Sequence, residues 1–174
     1  MKKILVFFIV CYAIALTKQE IYYMYQQKKF KKTCYNGISL IYKYKEDENF
    51  KSIVALSCVN ADMINAAIKI SKSMTKTKIG RHNASYIGSL FLIKKLLLQV
   101  VWDNIDISNL SLPTSSHILS IVFENISHKN FIKSNNEYII KANKKEYHLS
   151  KYGNYKFIIK IYQNNILINK HIYW

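Results

Sequence analysis

Five histidines and ten carboxylates are the side chains best suited to acid–base chemistry or metal binding in this chain. Catalysis needs a nucleophile beside a base, and a metal site needs ligands at a spacing that lets them converge. The sequence holds no G-x-S-x-G, H-E-x-x-H, P-loop or G-x-G-x-x-G motif, and its densest acidic group, Glu46-Asp47-Glu48, is typical of a turn. We therefore expect no enzyme activity, no metal site and no cofactor. Surface or structural roles are expected for the histidines, His82, His117, His128, His148 and His171.

The N-terminal segment decides how the cysteines are interpreted. A basic start is followed by the apolar run Ile4–Leu16, with small residues at Ala13 and Ala15. The run is shorter than the roughly 20 residues needed to cross a bilayer, and its flanks are typical of a secretory signal peptide. We expect cleavage after Ala15, which leaves one secreted domain, residues 16–174. An uncleaved signal anchor is the alternative.

Three cysteines are present, and Cys11 would leave with the signal peptide. The remaining pair, Cys34 and Cys58, would then enter an oxidising compartment in which disulfides persist. A bond between them is predicted, and closing the intervening loop is worth about 3 kcal/mol on loop-entropy grounds. Two separate buried thiols are the alternative.

Three N-x-S sequons, at Asn83, Asn109 and Asn125, predict N-glycosylation if the host is a eukaryote. Because a chain rich in asparagine and serine generates sequons by chance, we expect one or two of them to be used. Each used asparagine must lie at the surface.

The net charge of +16 predicts an attraction to anionic partners. A sulfated glycan, an anionic surface or another extracellular protein would fit, whereas sequence-specific nucleic-acid binding is not expected, because Arg81 is the only arginine and bidentate phosphate contacts favour arginine. A codon bias towards A and T offers a second origin for the lysines. Candidate anion-binding residues form two tracts: Lys28, Lys29, Lys31 and Lys32, and then Lys69, Lys72, Lys76, Lys78 and Arg81.

The first two thirds of the chain suggest strands on either side of helices. Apolar runs predict strands at 38–45, 52–59 and 118–126, and helical spacing predicts helices at 60–73 and 86–102. Gly80 is expected to end the first helical region. Lys94 and Lys95 interrupt the apolar segment 86–102, which argues against a transmembrane span.

The last forty residues predict two β-hairpins. The first turns at Asn143-Lys144 and places Lys141 opposite Glu146. The second turns at Asn164-Asn165, where both residues tolerate positive φ, and pairs Phe157 with Ile172. In that register Lys170 falls on the apolar face, which suggests a snorkelling lysine or a register one residue off. The fold class is therefore α+β: an antiparallel β-sheet or sandwich with an inserted helical pair at about 61–101 and C-terminal β-hairpins.

An apolar pocket is the alternative to a lysine surface as the functional feature. Gly153-Asn154-Tyr155 leads into a long final hairpin that resembles the last strands of immunoglobulin-like domains and of secreted lipid-binding β-sandwiches, although the disulfide pattern of neither is present. The helix 86–102 and the apolar face of this hairpin would form the pocket walls, through Phe91, Leu97, Tyr155, Phe157, Ile172 and Trp174.

Two functions follow from the sequence, and an enzyme of unrecognised type is the third hypothesis. The first is a secreted, glycosylated, non-enzymatic binding protein that meets an anionic partner through lysine, and the second is a secreted carrier of a lipid or other apolar ligand. A closed core with a lysine patch favours the first, and an apolar cavity above about 300 Å³ favours the second.

Overall fold

A computed structural model describes residues 16–174 of the chain. The predicted signal peptide, with Cys11 and the cleavage site after Ala15, lies outside the described residues. Within them the chain forms six helices followed by a five-stranded antiparallel sheet, in which sequential strands are neighbours. The α+β class is confirmed, with one sheet rather than a sandwich in the described part.

The helices occupy the first two thirds of the described chain and the strands the last third. The helices are α1 (Lys18–Gln26), α2 (Phe30–Leu40), α3 (Glu48–Asn60), α4 (Ile64–Ser71), α5 (Lys78–Asp103) and α6 (Ile118–Ser127). The strands are β1 (Ile132–Ser134), β2 (Glu137–Ala142), β3 (Lys145–Tyr152), β4 (Lys156–Gln163) and β5 (Ile166–Tyr173).

Three predicted strands are wrong. Segment 38–45 lies in the end of α2 and the turns after it, 52–59 lies inside α3, and 118–126 lies inside α6. The physical reason is clearest in α3, where residues on all sides of the helix are buried. A helix that is apolar all round shows no 3.6-residue period, so its sequence cannot be told from that of a buried strand. Its helical start is set by Asp47, whose carboxylate accepts the N–H of Phe50.

The disulfide prediction is confirmed, because the Sγ atoms of Cys34 and Cys58 are at bonding distance, 2.06 Å. The bond joins α2 to α3 at a place where the two helices approach closely. Beside it, a Cβ on Gly37 would lie 2.4 Å from Cγ2 of Val54, so only glycine permits this helix contact.

Gly80 does not end a helix, contrary to the prediction. It lies in the first turn of α5, which begins after the N-cap Thr77 and continues for 26 residues. The glycine is required because the carboxylate of Glu48 occupies the place of a side chain, with Oε2 only 2.3 Å from an ideal Cβ. Glu48 accepts the backbone N–H groups of Thr75, Lys76 and Thr77 at 2.6–2.7 Å, and these bonds lower its pKa to about 2.

α5 is the helix around which the rest packs. It contacts α3, α4, α6 and strands β3 and β4. By length and composition it could also cross a membrane, but here it is the core helix of the described fold. Its C-terminal turn is tied to the sheet, since the hydroxyl of Tyr138 donates to the Val100 carbonyl and the indole of Trp102 donates to the Lys156 carbonyl.

Both predicted hairpins are present, and the first has the predicted register, with Lys141 opposite Glu146. The second has the predicted pairing only near its turn, and an irregularity beside Ile161 and Tyr162 shifts the rest by one residue. Phe157 therefore faces Tyr173 instead of Ile172. The shift explains Lys170, which pairs with Lys160 and is exposed rather than lying on the apolar face.

Candidate functional site: a cavity beside the buried Lys94

A cavity of about 410 Å³ opens between α2, α4, the middle of α5 and the end of β5. We call it the α4–α5 cavity. Four of its lining residues are polar, Asp62, Asn65, Lys69 and Lys94. The others are apolar or aromatic: Tyr35, Ile38, Met63, Ile64, Ala66, Ile70, Tyr173 and Trp174.

The rim of the cavity continues into exposed apolar surface. Tyr35, Ile38 and Trp174 are each exposed by more than a third of their surface, although all three are large apolar or aromatic residues. They come from α2 and from the residue after β5, so the rim joins the helical and sheet parts of the molecule. A cluster of exposed apolar side chains around a cavity is typical of a ligand entrance.

Lys94 is a buried cation in the wall of the cavity. It is 2% exposed, and its ammonium group donates to Oδ1 of Asn65 and, at 2.6 Å, to a main-chain oxygen of Trp174. No Asp or Glu side chain of residues 16–174 forms an ion pair with Lys94. Its burial, with a smaller effect from the neighbouring Lys95, lowers its pKa to about 8.

Local sequence explains why a lysine occupies this position. Lys94 falls on the stripe of α5 formed by Ile87, Leu90, Leu97 and Val101, all of which are buried. The spacing of three and four residues places these side chains on one face of the helix. Lys94 is therefore part of the core-facing stripe, and its stem packs with apolar neighbours while its ammonium group reaches the cavity.

Asp62 forms a second polar group in the same wall. It follows α3 with a positive φ of 61°, and the Met63 N–H bonds back to the Cys58 carbonyl, which is the hydrogen bond of a Schellman C-cap. Its carboxylate accepts from the Tyr173 hydroxyl at 2.6 Å and from Nδ1 of His171 at 2.8 Å. Burial, and then the Asp62 charge, raise the pKa of Tyr173 above its ordinary value.

His117 lies close to this acidic group but serves the fold. Its Nδ1 accepts the N–H of Leu119, so a neutral ring caps α6. Burial lowers the pKa of His117 to about 4, and the neighbouring Asp62 only partly offsets this effect. The histidine is therefore uncharged at neutral pH.

His148 forms a separate charge network on strand β3. Its two ring nitrogens lie 3.0 Å from Glu137 and 2.5 Å from Glu146, and Lys160 also contacts Glu137. In residues 16–174 no group of three or more His, Cys, Asp or Glu side chains is arranged to hold a metal ion. His148 and His171 each contact carboxylates of their own, Glu137 and Asp62 respectively.

The two lysine tracts differ in how many of their side chains bond to other groups of the protein. All four lysines of the first tract are exposed at the junction of α1 and α2. In the second tract, Lys76 pairs with Glu46, Lys69 lies at the cavity, and the Arg81 guanidinium donates to the carbonyls of Thr75 and Lys76. Lys72 and Lys78 are exposed.

The sequons occupy different environments. Asn109 is exposed, in the loop between α5 and α6. Asn83 lies inside α5 and Asn125 inside α6, and both are half-buried. The amide of Asn125 also donates to the Ile121 carbonyl at 2.8 Å.

The six residues expected to line an apolar pocket are not brought together. Trp174 lines the α4–α5 cavity, and the ring of Phe91 lies 5.1 Å from the Lys94 ammonium. Leu97 and Phe157 are fully buried in the core. Ile172 pairs with Ile158, and Tyr155 is exposed with its ring beside Trp102.

Sequence reasoning missed Lys94, Asn65, Asp62 and Tyr173 as cavity residues. A signal for Lys94 was available, because it continues the buried stripe of α5 at helical spacing. The others could not be found in this way, since Asp62 and Tyr173 are brought together across 111 positions of the chain.

Comparisons with protein-family models, with curated proteins and with solved structures found no match. The function is therefore inferred from the cavity's own residues.

Proposed function

We propose that the chain is a secreted, non-enzymatic carrier whose ligand has an apolar body and binds in the α4–α5 cavity. The observation that carries this proposal is the cavity itself, which has about 410 Å³ of space, mostly apolar walls and an exposed apolar rim. Small-molecule sites fall in the range of about 300–1,000 Å³ and combine apolar walls with a few convergent polar groups.

The polar groups of the cavity support binding rather than catalysis. A general base needs a free acceptor within reach of the substrate. The Asp62 carboxylate already accepts from His171 and Tyr173, and this arrangement holds the end of β5 against the turn after α3. The apolar walls leave hydrophobic burial as the main source of affinity.

A cavity-filling variant tests the carrier proposal. Ala66 lines the cavity and is half-buried, so Ala66→Phe would occupy space that the ligand needs. The matched control is Gln99→Phe, which adds the same ring to an exposed position of α5 that does not line the cavity.

The measurement is titration with a fluorescent apolar probe, 1-anilinonaphthalene-8-sulfonate, at equal protein concentrations. Ala66→Phe should weaken binding by tenfold or more, and Gln99→Phe should leave it near the wild-type value. Equal binding by all three proteins would contradict the use of this cavity.

A polyanion-binding surface is the second candidate. It is favoured by Lys28, Lys29, Lys31 and Lys32, which are all exposed at one corner and form no ion pair with other described residues. Local clustering matters because charges further apart than about 8 Å are screened at physiological ionic strength. A sulfated glycan that binds these lysines would release its condensed counterions, and its affinity would therefore fall steeply as the salt concentration rises.

Two sets of four Lys→Gln substitutions distinguish a binding surface from a compositional excess of lysine. The first set is the α1–α2 corner, and the matched control is Lys144, Lys145, Lys151 and Lys170 on the sheet, which are also exposed. A binding surface predicts that only the first set reduces both the heparin affinity and its dependence on salt. Similar small losses of heparin affinity from both sets would indicate that the lysines reflect the composition of the chain rather than a binding surface.

A further inference from the structure

We propose that one face of α2 docks on a lipid bilayer with acidic head groups, with the entrance of the α4–α5 cavity turned towards the lipid. We call this surface the α2 face, and it consists of Lys31, Tyr35, Ile38 and Tyr42. The proposal goes beyond the carrier function. It rests on that function only in giving the docked protein a ligand to exchange with the bilayer.

The first support is a row of exposed apolar side chains. Lys31, Tyr35 and Ile38 follow one another at spacings of four and three residues, which places them on one side of α2. Tyr42 continues the spacing in the turn after the helix and is 85% exposed, and Tyr35 is 57% exposed. A contiguous apolar surface of this kind is typical of a site that meets lipid or another protein.

The second support is the charge around this row. Residues 21–45 contain no acidic residue. Their lysines are all exposed and form no ion pair with a described Asp or Glu side chain: Lys28, Lys29, Lys31, Lys32, Lys43 and Lys45. The first two acids that follow, Glu46 and Asp47, pair with Lys76 and Lys18. The positive potential of the α2 face is therefore left for an anionic partner, and basic surface segments attract acidic lipids.

The third support is that the lysines at the start of α2 do not stabilise the helix. Lys29 is the N-cap residue and makes no side-chain capping bond, and Lys31 and Lys32 lie in the first turn. Positive charges at this end of a helix oppose the helix dipole. Acidic head groups beside the α2 face would supply the negative charge that is favoured there.

The cavity entrance belongs to the same surface. Tyr35 and Ile38 line both the α2 face and the α4–α5 cavity, and the exposed Trp174 and Lys69 lie across the entrance from them. Tyrosine and tryptophan are enriched where proteins meet the membrane–water interface, because their rings are apolar and their O–H and N–H groups bond to water or head groups. An apolar ligand would then pass between the bilayer and the cavity without crossing water.

A sulfated glycan is the other anionic partner that fits the lysines. The two partners differ in what they require of the protein. Glycan binding depends on positive charge alone, whereas docking on a bilayer also buries apolar side chains among the lipids. A test of the proposal must therefore change the apolar part of the α2 face without changing its charge.

The experiment is flotation of the purified protein with phosphatidylcholine vesicles, with and without phosphatidylserine, at physiological ionic strength. The wild type should float only with the acidic vesicles. Tyr42→Ser should weaken binding by about threefold or more, because it removes an apolar ring from the interface. The matched control is Tyr152→Ser, which changes an exposed tyrosine of β3 and should have no effect. Four Lys→Gln substitutions at the α1–α2 corner should weaken binding by about tenfold or more.

A wild-type measurement tests the orientation and does not depend on the folding of these variants. Acidic vesicles that contain brominated lipid should quench tryptophan fluorescence, because Trp174 would lie at the lipid surface. The chain has two tryptophans, so Trp174→Phe should abolish the quenching and Trp102→Phe should retain it. Quenching that depends on Trp102 instead would overturn the proposed orientation.

The outcomes separate this proposal from the carrier function. Tyr42 and Tyr152 do not line the cavity, so both variants should bind 1-anilinonaphthalene-8-sulfonate as the wild type does. Probe binding without flotation on acidic vesicles would overturn the docking and leave the carrier function standing. Flotation without probe binding would support the docking and overturn the carrier function. Tight binding to heparin, with equal effects of Tyr42→Ser and Tyr152→Ser on flotation, would overturn the docking in favour of a glycan.

Discussion

Two buried charges, Glu48 and Lys94, are handled in opposite ways by this fold. Glu48 lies at the start of α3 and accepts three backbone N–H groups and the Thr77 hydroxyl, and these bonds lower its pKa to about 2. Lys94 lies in the middle of α5 and donates to the Asn65 amide oxygen and to a main-chain oxygen of Trp174, and burial moves its pKa towards the uncharged form, to about 8.

The difference lies in what each charge holds in place. Glu48 accepts the N–H groups of the 75–77 turn and fixes the beginning of α5. Lys94 joins α5 to Asn65 of α4 and to Trp174 after β5, at the wall of the α4–α5 cavity. The first charge therefore organises a helix start, and the second organises the cavity wall.

The largest loss of stability is expected at Glu48. Glu48→Gln replaces an ionised acceptor by an amide, so some of the N–H groups of the 75–77 turn lose their partners. The variant should unfold at clearly lower urea concentration than the wild type. The wild type should also lose stability as the pH falls from 4.5 towards 2, because Glu48 contributes stability only while it is ionised in the folded state.

A matched substitution tests the same contact from the other side. Gly80→Ala would place a Cβ 2.3 Å from the Glu48 carboxylate, whereas Gly88→Ala, in the same helix, meets no atom within 4 Å. The first should cost about 1–3 kcal/mol as an overpacked site, and the second should be neutral or stabilising by up to about 1 kcal/mol. Equal effects would show that Glu48 does not occupy this space.

The next effect concerns His117, the N-cap residue of α6. Its pKa of about 4 in the folded state is below the ordinary 6.5, so the unfolded chain binds more protons between these values. Stability should therefore be complete above pH 6.5 and fall as the pH drops towards 4, by at most about 3 kcal/mol. His117→Asn keeps a capping side chain but does not titrate, and its unfolding free energy should change less over this interval.

The smallest effect on stability at neutral pH is expected at Lys94. Replacing this buried cation by the apolar Met costs its two hydrogen bonds but removes the penalty of burying charge, so the two contributions to stability oppose each other. Because the folded-state pKa is depressed, wild-type stability should rise between pH 8 and 10.5 relative to Lys94→Met. Parallel stability curves for the two proteins would contradict the lowered pKa of Lys94.

The C-terminal part of the fold was predictable because its signals are local. Alternating residues and the turns Asn143-Lys144 and Asn164-Asn165, all at positive φ in the structure, predict hairpins directly. The position of the register shift beside Ile161 was not predictable. Its existence was indicated, because the regular register placed Lys170 on the apolar face of the hairpin. The helix α3 was missed because it is buried on all sides, so its sequence shows no apolar period that distinguishes it from a buried strand. The helix α6 does carry buried residues at spacings of three and four, Leu119, Val122, Phe123 and Ile126, but its short, mostly apolar sequence fits a buried strand as well.

The candidate site was predictable only in part. The cation on the buried stripe of α5 can be recognised from spacing alone. Its partners cannot, because Asn65 lies 29 positions away and Trp174 lies 80 positions away, and only the packing of α4 and β5 on α5 brings them to it. The cavity is likewise a property of packing rather than of any one segment.

The most direct test of the central claim, that the α4–α5 cavity holds an apolar ligand, is methyl NMR of the protein with ¹³C-labelled isoleucine, titrated with 1-anilinonaphthalene-8-sulfonate. The methyl signals of Ile38, Ile64 and Ile70, which line the cavity, should shift as the probe binds. The signal of Ile159, which is buried in the sheet and does not line the cavity, should stay in place. Binding of the probe without shifts at the three lining residues would contradict the account.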